Sequence, residues 1–179
     1  MSGDPSIDVP LTEEGEAQAR LLGVQLANLP LDACVHTQFS RTRRTAELAL
    51  EGRRVELRAE PLLDDVKIGE LEGQSVEEYR NWKARHDRAT PFPGGETLND
   101  TARRYALAYR QLLAAAHSYV LVVCHEIPIR YALNAAAGST SLDGPQHVIP
   151  NAVPYLFDEE ALERATAGIE QLTPPRPAA

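Results

Sequence analysis

The sequence predicts an α/β fold: a three-layer sandwich in which a mainly parallel central sheet is flanked by helices. Three observations carry this. Helix-like and strand-like segments alternate along the chain. The most strand-like of them, VLVV at 120–123, is a short β-branched run without polar alternation, the pattern of a strand covered on both faces. No internal repeat or domain-sized linker divides the 179 residues, and 43% of them are hydrophobic, enough for one sizeable core.

Each element has its own local reason. PLTEEGEAQARLLGVQLANLP offers Thr12 as a helix cap with acids in the first turn, which suit the helix dipole. Gly15, Ala19, Leu22, Leu26 and Leu29 then recur on one helical face. LDACVHT reads as a short strand, and RTRRTAELALEG as a helix closed by Gly52. RVELRAEPLL alternates and reads as a strand or extended link, while SVEEYRNWKARHD is helical with Ser75 as cap. ATPFPGGETL cannot continue a helix and is a loop. NDTARRYALAYRQLLAAAH is a long helix, VLVVC a strand, IPIRYALNAAAG a helix ended by Gly138, and VPYLFDE a final short strand. One domain over 1–165 is expected, followed by a C-terminal tail, 166–179, expected to be partly disordered around TPPRPAA.

The net charge of −8 argues against nucleic acid or an anionic membrane surface as partner. An anionic substrate would have to be held by local arginines. No apolar run reaches the ~18 residues a membrane span needs. The opening MSGDPSIDVP is polar and Pro-rich, unlike a secretory leader. Cys34 and Cys124 each sit in a short apolar run and read as reduced, buried thiols. The expectation is a cytoplasmic enzyme.

Two residues at the end of the 120–123 strand could do chemistry. Cys124, separated from Arg130 by five residues, has the spacing of the cysteine-dependent phosphatases. There a thiolate attacks phosphorus from a loop of backbone N–H groups, and the arginine clamps the phosphate. The intervening HEIPI has no glycine, a proline without an N–H, and an acidic Glu126, so it fits such a loop poorly. His125 lies where a strand gives way to a helix, the place where open α/β sheets hold ligands. On these residues alone, a hydrogen-bonded structural histidine in that turn is an equal reading. His36, His86, His117 and His147 read as structural or surface residues.

The ordered set PLTEEGEAQA, TQFSRTRRTAEL, LLDDVKIGELEG, PGGETL, VLVVCHE and NAVPYLF, spread over residues 10–157, resembles the histidine phosphatase superfamily, the phosphoglycerate-mutase-like fold. Leu11, Thr12 and Gly15 match its Leu-Thr-x-x-Gly block, and Asp65, Gly69, Glu72 and Gly73 match its acid-donor block. The resemblance implies a phosphomonoester hydrolase that needs neither metal nor cofactor. It implies Arg41 as phosphate ligand, His125 as the second catalytic histidine and Asp65 as proton donor, with Asp64 next door as an alternative. Glu126 stands where the family usually has glycine and is expected to tune substrate binding. The expected partner is a phosphorylated small molecule or a phosphoprotein. The residue types suit the chemistry, which needs positive charge around phosphate oxygens and a proton for the leaving alkoxide.

The resemblance also implies a nucleophilic histidine, in an Arg-His-Gly or Arg-His-Ala motif ending a first strand. This sequence does not contain it. Its single Arg-His pair, Arg85-His86, lies in a polar helical stretch. Two expectations follow: a domain incomplete at its N-terminus, nearly inactive as it stands, or a non-catalytic phosphate-binding pseudoenzyme.

Overall fold

The computed structural model describes residues 3–145 and 147–174. Its sheet has three strands, β1 (Ala33–His36), β2 (Glu56–Ala59) and β3 (Val120–Val123), in the order β2-β1-β3. Both pairings are parallel, and His36 lies level with Ala59 on one side and Val123 on the other. All three strands therefore end at the same edge of the sheet. Among the described residues β3 has no ladder partner on its outer side.

The helices are α1 (Glu13–Gln25), α2 (Ser40–Ala49), α3 (Val76–Arg85), α4 (Leu98–Ala114), α5 (Glu126–Ala136) and α6 (Glu159–Leu172). The strands alternate faces as their pleat requires. Cys34, Leu121 and Val123 face α2, packing with Ala46 and Leu50. Val35, Val120 and Val122 face the other way, against Tyr105, Ala106, Tyr131, Ala135 and Ile169 of α4, α5 and α6. This is the three-layer α/β arrangement that the alternating segments imply.

The helix starts follow their caps. Thr12 accepts from the Gly15 N–H, Thr97 from Asp100, and Asp158 from Ala161, each satisfying an otherwise orphaned first-turn donor. Ser75 and Glu78 form a reciprocal capping box at α3. None of the helices among the described residues is long and apolar enough to cross a membrane.

Two expectations change. Residues 153–159, expected as a strand, form no ladder: Asp158 caps α6, Glu159 begins it, and Leu156 is 89% exposed. Their alternation is genuine, but a strand exists only where a neighbour accepts its backbone. Residues 166–172, assigned to the tail, complete α6, with Thr166 and Ile169 buried. Residues 175–179 of that tail lie outside the described residues.

Candidate active site

The carboxyl ends of all three strands feed one cluster. Beyond β1 come Thr37 and Phe39, then α2 with Arg41 in its first turn. Beyond β3, His125 caps α5 from an extended backbone. Beyond β2, a 3₁₀ turn at Pro61–Leu63 leads to Asp64 and Asp65. Parallel strands make this convergence automatic, since their loops emerge on one side.

His125 is 9% exposed and sits edge-on to Phe39, ring centroids 4.7 Å apart. Its Nδ1 lies 3.3 Å from Arg41 Nη2 and 3.7 Å from Asp65 Oδ2. Its Nε2 lies 3.0 Å from Thr37 Oγ1. A guanidinium can only donate, so Nδ1 accepts and the proton rests on Nε2. Nε2–H then donates to Thr37. The chain runs on from Thr37 to Thr42 Oγ1 at 2.7 Å, and Thr42 donates to the Phe39 carbonyl at 2.9 Å. This relay fixes both tautomer and ring plane. Burial, then the positive fields of Arg41 and Arg104, push the His125 pKa down to about 3, so the ring is neutral.

Arg41 stacks on Phe39, with its guanidinium carbon 4.2 Å from the ring centroid. Its Nη2 is 3.7 Å from Asp65 Oδ2, and both side chains are 24% exposed. Burial raises the Asp65 pKa to about 6, against the lowering pull of the Val66 N–H and of Arg41. Asp65 Oδ1 accepts from the Val66 N–H at 2.9 Å. The neighbouring Asp64 takes a different part: it is 4% exposed and accepts from the Gln38 N–H at 2.8 Å, tying the β1 exit to the acid loop.

Two residues with no assigned role in the sequence reading shape this loop. Arg104 of α4 donates to the carbonyls of Leu62, Asp64 and Asp65, at 2.8, 2.7 and 3.0 Å, and pairs with Glu96 at 2.6 Å. Glu72 accepts from the Gly3 N–H through both oxygens, at 3.0 and 2.9 Å, and its negative field reaches Arg41 and Asp65. Only glycine fits at position 3, because a Cβ there would come 2.1 Å from the Val66 carbonyl. Gly69, at φ 56°, lets the acid loop close against Pro93 and Gly94.

The structure thus brings His125, Arg41 and Asp65 together. It does not bring in Glu126, whose side chain is 54% exposed and ion-paired with Arg130 one turn along α5. Burial holds the Cys124 thiol up at about 12, the reverse of what a nucleophilic thiolate needs, and Arg130 is engaged by Glu126. His86 of the Arg-His pair donates to the Trp82 carbonyl and stacks on its ring at 4.2 Å. A groove of about 250 Å³ borders Arg41, lined also by Pro10, Leu11, Thr12, Gly15 and Asn151.

Arginine, histidine and acid thus meet at the strand ends of a parallel α/β sheet. The sequence profile of the histidine phosphatase superfamily (branch 1) matches residues 4–165, and the chain belongs to that superfamily. It is 31% identical over 130 residues to the probable phosphoglycerate mutase GpmB of Klebsiella pneumoniae subsp. pneumoniae, a match covering 68% of this chain and 60% of that protein. With the GpmB of Photorhabdus laumondii subsp. laumondii it shares 32% over 108 residues, 56% of this chain and 50% of the other. The chain thus spans about half to three-fifths of the length of these curated relatives. Among solved structures, a phosphoglycerate mutase from Thermus thermophilus superposes with a TM-score of 0.58 at 32% identity, over 81% of this chain and 76% of that one. Bacillus stearothermophilus YhfR does so with a TM-score of 0.68 at 23% identity, over 78% and 74%. At that identity YhfR speaks for the fold alone.

Proposed function

We propose that this chain carries the phosphate-binding and proton-donating part of a cytoplasmic phosphomonoester hydrolase that works through a phosphohistidine in its complete form. The observation that supports it is the meeting of Arg41, His125 and Asp65 within 3.7 Å of one another at the strand ends. Arg41 binds the phosphoryl oxygens through its planar fork. An incoming phosphate displaces Arg41 from His125 Nδ1 and favours a proton there, turning that nitrogen into a donor to the developing charge. Asp65, with a pKa of about 6, is protonated often enough near neutral pH to hand a proton to the leaving alkoxide. The nucleophile comes from an Arg-His-Gly or Arg-His-Ala segment that this sequence does not contain. Attack by such a histidine divides hydrolysis into phosphoryl transfer to nitrogen and release by water.

The test compares the 179-residue chain with a form extended by the upstream reading frame, on an aryl phosphate. The short chain is expected to bind inorganic phosphate in an Arg41-dependent, salt-sensitive way and turn over negligibly. An extended form bearing the motif is expected to be orders of magnitude faster. Absence of any motif upstream, with phosphate binding retained, would instead establish a phosphate- or phosphoprotein-binding module. Equal turnover by both forms would refute the need for the missing histidine.

A further inference from the structure

Two buried polar side-chain atoms among the described residues have no hydrogen-bond partner: Tyr79 Oη and Arg130 Nε. A buried donor left unmade is costly, and folded proteins rarely leave one without a use. That both belong to one neighbourhood is the informative point. Tyr79, on α3, packs against the buried cluster of Val66, Ile68, Phe92 and Leu98, its ring stacked on Phe92 at 5.6 Å, and Ile127 of α5 packs against the same cluster. One apolar cluster thus joins Tyr79 to the residue after Asp65 and to the first turn of α5. Arg130 follows Ile127 by three positions, on the same helical face. It is five residues along α5 from His125, an axial rise of about 7–8 Å. The charges of Asp65 and Arg130 both act on the Tyr79 hydroxyl.

We infer that the Tyr79 hydroxyl and the Arg130 Nε–H form a leaving-group subsite beside Asp65, reached when α3 lifts, that takes a neutral oxygen acceptor on the alcohol part of a phosphomonoester. This rests on the phosphate-site reading above. The charge balance decides the ligand class. Arg130 is already compensated by Glu126, so its Nε–H remains as a lone directed donor rather than a free cation. The nearby cations Lys83 and Arg88 are both spent on Asp143. A hydroxyl or carbonyl oxygen fits such a pair, whereas a second anion would find no uncompensated charge. The covering element can yield: α3 contains no buried residue. It is held chiefly by the Tyr79 and Trp82 stacks on Phe92 and by the Lys83 pair. Sparse burial marks the segments that open locally.

The experiment is titration calorimetry of the 179-residue chain with inorganic phosphate, propyl phosphate, glycerol 3-phosphate and phosphoglycolate. Glycerol 3-phosphate is expected to bind about threefold to tenfold more tightly than propyl phosphate, the yield of one or two net hydrogen bonds. Tyr79→Phe, which keeps the ring stack, should erase that preference, and Arg130→Lys should reduce it. Inorganic phosphate, with no ester group to reach the subsite, should bind both variants as it binds the parent. The unliganded Tyr79→Phe protein should melt no lower than the parent, since its hydroxyl has no bond to lose. A preference that survives Tyr79→Phe, a lowered melting midpoint in that variant, or tighter binding of phosphoglycolate than of glycerol 3-phosphate would each overturn the inference while leaving the phosphate site standing. Failure of all four ligands to bind would overturn both.

Discussion

The two ends of the sheet make an instructive pair. At the amino ends of the strands lies a cavity of about 240 Å³, lined by Ala33, Val35, Glu56, Arg58, His117 and Val120. It matches in size the groove beside Arg41. Yet its arginine is 55% exposed and reaches away from the cavity to a single buried carboxylate, Glu60, just past the end of β2. At the carboxyl ends, Arg41, Asp65 and His125 are held at 24%, 24% and 6% side-chain exposure, and two of them are pushed well off their ordinary pKa values. Volume does not distinguish the ends. Converging charge kept partly out of water does.

The comparison can be broken most severely through Arg104, which supports only the carboxyl end. Arg104→Ala removes the ion pair to Glu96 and the side-chain donor of the Leu62 and Asp65 carbonyls, leaving Glu96 only the Lys67 N–H and the Asp64 carbonyl only the Tyr105 hydroxyl. Chemical denaturation should show a loss of about 3–5 kcal/mol. Next comes Arg41→Ala, for which calorimetry should show phosphate affinity falling about 10- to 100-fold, as expected for a charge-assisted contact. Arg58→Ala at the other end should change it less than about twofold.

A pH series sharpens the contrast further. The folded pKa of Asp65, about 6, lies above its ordinary 3.8. Folding therefore takes up a proton between those values, and stability from this group falls as pH rises from 3.8 to 6. Asp65→Asn removes that loss and should be about 1–2 kcal/mol more stable than the parent at pH 8, with the gain vanishing near pH 4. His125 acts in the opposite sense: held neutral down to about 3 against an ordinary 6.5, it costs stability as pH drops through that window. Melting curves of Asp65→Asn and His125→Gln across pH 4–8 should diverge in these two directions. The smallest expected effect concerns the thiols. Burial lifts Cys34 and Cys124 to about 12, so iodoacetamide should label the folded protein at pH 8 slowly and leave phosphate binding intact.

How much of this could be read beforehand depended on the range of the interaction. The strand ending at His125 announced itself through four consecutive β-branched or aliphatic residues. Arg41 and Asp65 were reachable only as parts of an ordered motif set, since each alone looks like a surface charge. Helix α6 is legible in the helical spacing of Leu162, Ala165, Ile169 and Leu172, and its last turns escaped only because they run straight into the Pro-rich end and were read with it as tail. The 153–159 segment misled through an alternation with no strand beside it. The Thr37–Thr42 relay joins residues to His125 across 88 positions, and nothing local marks it. Tyr79 sits in a helix of mostly exposed, charged residues, where its hydroxyl carries no sequence signal.

Arg104 holds the acid loop by carbonyl oxygens, which every amino acid possesses. Its grip is therefore blind to which side chains stand at 62, 64 and 65. In a saturation library the Arg104 column should be among the least permissive in the protein, while position 65 should accept Glu or Asn without the loop losing its course. The fold has separated the shape of the loop from the identity of the group it presents. A lineage built on this scaffold can exchange the side chain at position 65 in a single step, and selection then sees only the chemistry of the new group.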